Sequence, residues 1–251
     1  MKTGFRFAAL AGLLAVTVAV GATRAQAPEA APNTLTVAEQ KEGWKLLFDG
    51  RSIEKWWRGF KMQTLPDNWG VLNGWGTLDG TLALVNTRRP PDIITIEEFT
   101  DFDFKFDWKL GDLASGSNSG VMFYVTEAGD ATYFSGPEYQ ILDNARHADG
   151  KNPLTSAGAC YALYPPARDF TRPIGEWNSS RIIADKGKVQ HWLNGQKTVE
   201  YDMNSDEWKA KVLGSKFKEW PIFGTVHKGH LALQQHGGPV AYRNLKVRTL
   251  Q

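Results

Sequence analysis

The sequence contains one cysteine, Cys160, so no intrachain disulfide is available and stability has to come from packing. It also lacks an excess of charge: 29 Lys and Arg stand against 27 Asp and Glu, interspersed along the chain. There is no basic block and no amphipathic basic helix, which excludes the electrostatic footprints of nucleic-acid and membrane-surface binding. No apolar run reaches the roughly 20 residues of a membrane-spanning helix. HExxH, Gly-x-Ser-x-Gly, phosphate-loop and dinucleotide motifs are absent. Of the five histidines only His227 and His230 stand close together, so no metal site is assigned. A divalent cation such as Ca²⁺ stays open, because Asp, Asn and loop carbonyls suit it, although no calcium-loop spacing appears. Helical signals are equally scarce. Ser205–Val212 alone has an N-cap followed by acids, Asp206 and Glu207, and predicts one short helix near 205–213.

What is present begins with an export signal. Lys2 and Arg6 precede the apolar run Ala8–Ala22, and Ala25-Gln26-Ala27 forms a small-residue cleavage site. Residues 1–27 are read as a signal peptide, which places the mature protein in the periplasm or outside the cell. Residues 28–42, rich in Ala and Pro at their start, are read as a flexible leader. Residues 43–251 then form one domain, whose ten Trp, seven Tyr and eleven of the chain's thirteen Phe include most of the apolar area for a single core.

The dominant period in that domain is two. Phe102, Phe104, Phe106, Trp108 and Leu110 alternate with Asp103, Lys105, Asp107 and Lys109, the pattern of an antiparallel strand with one face in the core and one in solvent. Val121–Val125 is continuously apolar and reads as a strand buried on both faces. Asp185-Lys186-Gly187 and Asn194-Gly195 separate short strands as hairpin turns. Thr77–Val85, around Asp79-Gly80, reads as another hairpin, and Leu231–Gln235 with Tyr242–Arg248 as a last one. Many short strands and almost no helix predict an all-β sandwich or jelly roll of antiparallel sheets.

Seven segments in order carry a family resemblance: Gly43–Gly50, Trp56-Trp57, Ser117–Val121, Gly136–Asp143, Asn178 with Arg181, His191–Gly195, and Leu233–Gly237 with Tyr242–Arg248. The chain resembles the 3-keto-disaccharide hydrolase family over roughly Gly43–Leu250. The resemblance implies a concanavalin A-like jelly roll, bacterial export, and chemistry on sugars oxidised at C3.

Strand alternation sorts the chemical side chains by face. Glu138, Gln140 and Leu142 point one way; Tyr139, Ile141 and Asp143 point the other. A two-carboxylate glycosidase needs its pair about 5–9.5 Å apart across one bond, and the spacing of Glu138 and Asp143 argues against that. A 3-keto sugar needs less. Its ketone acidifies the hydrogen at C2, so one base can form an enolate and the C1 leaving group is then eliminated. Glu138 is the first candidate for that base and His191 the second, as acid or base. Asn118, Gln140, Asp143, Arg181, Trp192, Gln234 and His236 are candidate substrate contacts, with Tyr133 and Phe134 as a further aromatic face. Each has a plainer reading. Glu138 pairs with Arg181, His191 is a hydrogen-bonded core histidine, Asp143-Asn144 and His236 shape turns, and Trp192 packs. A non-catalytic carbohydrate-binding module or lectin of the same fold is the rival function.

Overall fold

The computed structural model describes residues 1, 31–67, 69–72, 81–84, 91–236 and 238–251. The expected signal peptide lies outside these residues apart from Met1, as do positions 28–30 of the expected leader. Among the described residues no helix is long and apolar enough to cross a membrane.

In chain order the elements are α1 (Val37–Lys41), β1 (Lys45–Leu46), β2 (Trp57–Gly59), β3 (Trp69–Leu72), β4 (Thr81–Leu84), β5 (Ile93–Thr95), β6 (Phe102–Leu110), β7 (Asn118–Val125), β8 (Glu138–Leu142), β9 (Asn178–Asp185), β10 (Lys188–Leu193), β11 (Gln196–Asp202), α2 (Asp206–Leu213), β12 (His230–Leu233) and β13 (Val240–Thr249). They build two antiparallel sheets, a jelly-roll sandwich. One sheet runs β11-β10-β9-β6-β13-β4-β3, with β1 also on β13; the other runs β2-β5-β12-β7-β8.

The core lies between the sheets and follows the period of two. From β6, Phe102, Phe104, Phe106 and Trp108 point inward, and they meet Val121 and Phe123 of β7 and Tyr139 and Ile141 of β8. Phe102 lies edge-on to Phe123 at 5.9 Å, and Phe106 to Tyr139 at 5.4 Å. Two buried hydroxyls also join the sheets: Tyr242 of β13 and Ser119 of β7 are 2.7 Å apart.

Both tight turns of the β9-β10-β11 meander have the backbone expected of them. Lys186 and Gly187, then Asn194 and Gly195, all have positive φ, the geometry that matches strand twist in a two-residue hairpin. Helix α2 stands where expected, with Ser205 Oγ accepting from Trp208 N–H at 3.1 Å.

Other expectations change. The final segments do not form a hairpin: β12 pairs with β5 and β7 in one sheet, whereas β13 pairs with β6, β4 and β1 in the other. The chain therefore passes from one sheet to the other between β12 and β13. Thr81–Leu84 pairs with Trp69–Leu72, and the remainder of the Thr77–Val85 expectation lies outside the described residues. The leader is not loose from residue 31 on. Thr36 and Glu39 form a capping box on α1, Asn33 exchanges backbone–side-chain hydrogen bonds with Asn244 at 2.7 and 2.8 Å, and Glu39 pairs with Lys246 at 2.9 Å. Nor is the charged face of β6 solvated at Asp103, which is 1 % exposed.

Candidate active site

The outer face of the five-stranded sheet carries the site. On β7, Asn118, Gly120 and Met122 alternate outward, in register with Leu142, Gln140 and Glu138 of β8. An apolar floor of Phe60, Ile94, Met122, Val125 and Ala232 lies beside them. Strand β8 is the sheet edge, and residues 158–161 cover it: Tyr161 N–H donates to the Glu138 carbonyl at 3.0 Å, Gln140 N–H to Ala159 at 3.1 Å, and Gly158 N–H to Gln140 at 2.9 Å. That strap satisfies a backbone edge that would otherwise invite pairing with another chain.

Above this face is a cavity of about 280 Å³ lined by Asn118, Glu138, Gln140, Gln234 and His236 of the sheet side. Its opposite wall is Tyr133, Asp149, Tyr161, Lys216, Phe217 and Trp220 from the loops. Five of the nine expected site residues thus come together: Glu138, Asn118, Gln140, Gln234 and His236. Among the described residues Glu138 has no ion-pair partner, and burial pushes its carboxyl up to about 8. Lys216 acts against that shift, while the charges of Asp92 and Asp149 add to it. The Glu138 side chain lies over Gly120. A Cβ placed there would stand 2.2 Å from Glu138 Oε1, so the glycine makes room for the carboxyl.

The amides around it are under-used by protein. Gln140 Nε2 donates to the Thr155 carbonyl at 3.2 Å, but Gln140 Oε1 and Gln234 Oε1 are buried and have no hydrogen-bond partner among the described residues. Buried acceptors of this kind are rare in finished interiors and match the hydroxyls of a ligand. At the mouth, Trp220 stacks on Phe134 at 4.6 Å and tilts against Tyr133 at 5.4 Å. Lys216 Nζ sits 4.5 Å from the Tyr161 ring, and Tyr161 Oη donates to Asp149 at 3.4 Å.

Four expected site residues belong elsewhere. His191 faces inward from β10, fully buried, beside Tyr139 at 4.9 Å and with Tyr201 Oη 3.3 Å from its Nε2. Burial pushes its imidazole down to about 3, so it is a neutral core histidine. Arg181 sits on the outer face of the other sheet, where it grips Asp103 with two hydrogen bonds of 2.6 and 2.5 Å; its partner is therefore not Glu138. Trp192, opposite Arg181 in register, shares that face and donates to Gln190 at 3.1 Å. Asp143 follows β8 and caps a turn, accepting from Ala145 and Arg146 N–H at 3.2 Å and pairing with Arg146 Nε at 2.9 Å. Among the described residues no cluster of three His, Cys, Asp or Glu side chains is arranged to hold a metal ion.

A family sequence profile described as the 3-keto-alpha-glucoside-1,2-lyase-like domain matches residues 43–248. A 3-keto-disaccharide hydrolase of Bacteroides thetaiotaomicron is 28% identical over 242 residues, 87% of this chain and 82% of its own length. Among solved structures, a putative glycosyl hydrolase from Parabacteroides distasonis superposes with a TM-score of 0.77 at 34% identity, covering 88% of this chain and all of that one. A second putative glycosyl hydrolase of the same organism gives a TM-score of 0.56 at 28% identity, covering 77% of this chain and 99% of the other.

Proposed function

The chain belongs to the 3-keto-alpha-glucoside-1,2-lyase-like family of carbohydrate-active proteins, and on that premise we propose that it is an exported enzyme cleaving the glycosidic bond of 3-keto-glycosides. The observation that carries this reading is Glu138: a buried carboxyl, raised to about 8, among under-bonded amides in a ligand-sized cavity. A carbon acid next to a ketone calls for a base stronger than an ordinary carboxylate, and burial supplies one.

In this mechanism the Glu138 carboxylate takes the proton from C2. The electron pair moves onto the C3 oxygen as an enolate, near the Lys216 ammonium. Collapse of the enolate forms the C1–C2 double bond and expels the C1 oxygen, which takes a proton from His236. Water then adds at C1, C2 is reprotonated, and the net change is hydrolysis. Asn118, Gln140 and Gln234 hold the remaining sugar hydroxyls.

The cavity holds Glu138, Asp149, Lys216 and His236 together, which favours catalysis over a lectin. The test is product analysis with a 3-keto-disaccharide and its unoxidised parent. Turnover of the keto sugar alone is expected, falling about 10³-fold in Glu138→Gln. Binding of both sugars without turnover means a lectin, and cleavage of both means an ordinary glycosidase.

A further inference from the structure

Asp92 stands immediately before β5, and the mechanism above makes no use of it. Its carboxylate is tied from two directions. The Thr132 hydroxyl donates to Oδ2, and Gln235 N–H donates to Oδ1 at 2.8 Å. Thr132 precedes Tyr133, and Gln235 lies between Gln234 and His236, so each tether ends one residue from a cavity wall. A carboxylate suits this place because it accepts from both donors and has no proton of its own to misplace.

Glu138 leans towards it. Its carboxyl lies over Gly120 of β7, and beyond β7 come β12 and then β5. Strands are about 4.8 Å apart, so β7 and β5 are separated by on the order of 10 Å. Over that distance, in a partly desolvated site, two carboxylates oppose each other's ionisation. Burial pushes Asp92 itself up to about 6, against the two hydrogen bonds that hold it down. The other charged groups facing Glu138 are Lys216 and Asp149, with His236 on the same wall.

We propose that Asp92 is a positioning residue of this site: it clamps the Tyr133 turn to the Gln234–His236 segment, and its charge adds to the burial that disfavours the Glu138 carboxylate. The inference rests on Glu138 being the titrating group of the cleft, and not on the substrate being a ketone. It is tested by carboxyl ¹³C NMR titration of the full chain, wild type beside Asp92→Asn and Thr132→Val. In Asp92→Asn the Glu138 midpoint is expected to fall by about half a pH unit or more, and the alkaline rise of kcat/KM to move with it. A Glu138 midpoint that stays in place overturns the electrostatic role. A lowered rate with an unmoved pH profile leaves Asp92 as mere scaffolding and overturns it too. Thr132→Val is expected to raise the Asp92 midpoint, because the charged form loses a donor. Should Asp92→Asn fail to fold, an unmoved Asp92 midpoint in Thr132→Val overturns the clamp. Titration as expected, in a protein that leaves 3-keto-disaccharides intact, supports the Asp92 assignment while removing the reaction proposed above.

Discussion

The outer faces of the two sheets carry charge in opposite ways. On the eight-stranded sheet the charges are matched: Asp103 receives Arg181 and Arg248, Asp107 receives Arg243, and Glu39 receives Lys246. On the five-stranded sheet Glu138 is left without an ion-pair partner among the described residues, and the neighbouring amide oxygens lack hydrogen bonds. Both faces are built by the same strand alternation, so the difference lies in what stands opposite. A face with every charge answered is finished structure. A face with charges and acceptors held open in a walled cavity is waiting for a ligand.

Removing one side of the matched face gives the largest expected effect on stability. Asp103→Ala leaves Arg181 without its partner and Arg248 with Glu42 alone, and is expected to cost about 2 kcal/mol in chemical denaturation, with kcat/KM of the folded protein nearly unchanged. A comparable loss of kcat/KM would show that the two faces are not independent. Gly120→Ala sharpens the contrast from the other side. The new methyl group meets the Glu138 carboxyl, so turnover is expected to fall by up to about 100-fold with a smaller loss of stability.

The pH dependence of stability comes next. Burial raises the folded pKa of Glu138 to about 8 from its ordinary 4.5, so the folded state keeps a proton that the unfolded chain releases. Stability is therefore lost as pH rises from about 4.5 to about 8. His191 has the opposite sign, since its folded value of about 3 lies below 6.5, and it weakens the fold as pH falls through that window. Glu138→Gln is expected to be more stable than wild type at pH 8 by on the order of 2 kcal/mol and equal to it near pH 4, as read by thermal melts. The smallest effect separates two tryptophans. Trp220→Ala is expected to weaken sugar binding about tenfold by calorimetry, and Trp192→Ala to leave it unchanged.

These contrasts also explain what could be read in the sequence. Period two located β6 and put Glu138 and Gln140 on one face of their strand, because alternation fixes side-chain direction within a strand; β7 is legible from its continuous apolar run instead, which leaves out Asn118, the strand's first residue. It does not say to which sheet a strand belongs, and a sandwich has two outer faces. Arg181 and Trp192 are outward residues like Glu138, but on the wrong sheet. Arg181 finds Asp103, 78 residues away, by a pairing of β6 with β9 that no local pattern announces. His191 and Asp143 were legible in their plainer readings, as a core histidine and a turn. Of the opposite wall only Tyr133 was legible: Asp149, Tyr161, Lys216 and Trp220 come from irregular connections, which have no period to read. Asp92 had no signal at all beyond standing before an apolar strand.

The crossing from β12 to β13 gives the cavity a mechanical character. Gln234 and His236 line one wall and stand on the connection that links β12 in one sheet to β13 in the other. Sheets stack about 10 Å apart, so much of the segment's extended reach is spent on the crossing itself. At its far end, β13 is held by three strands. Swinging this wall outward would pull on the sandwich and, through Asp92, on the Tyr133 turn, so of the opposite side only the Lys216–Trp220 segment lies clear of both tethers. The cleft works as a jaw with one anchored half.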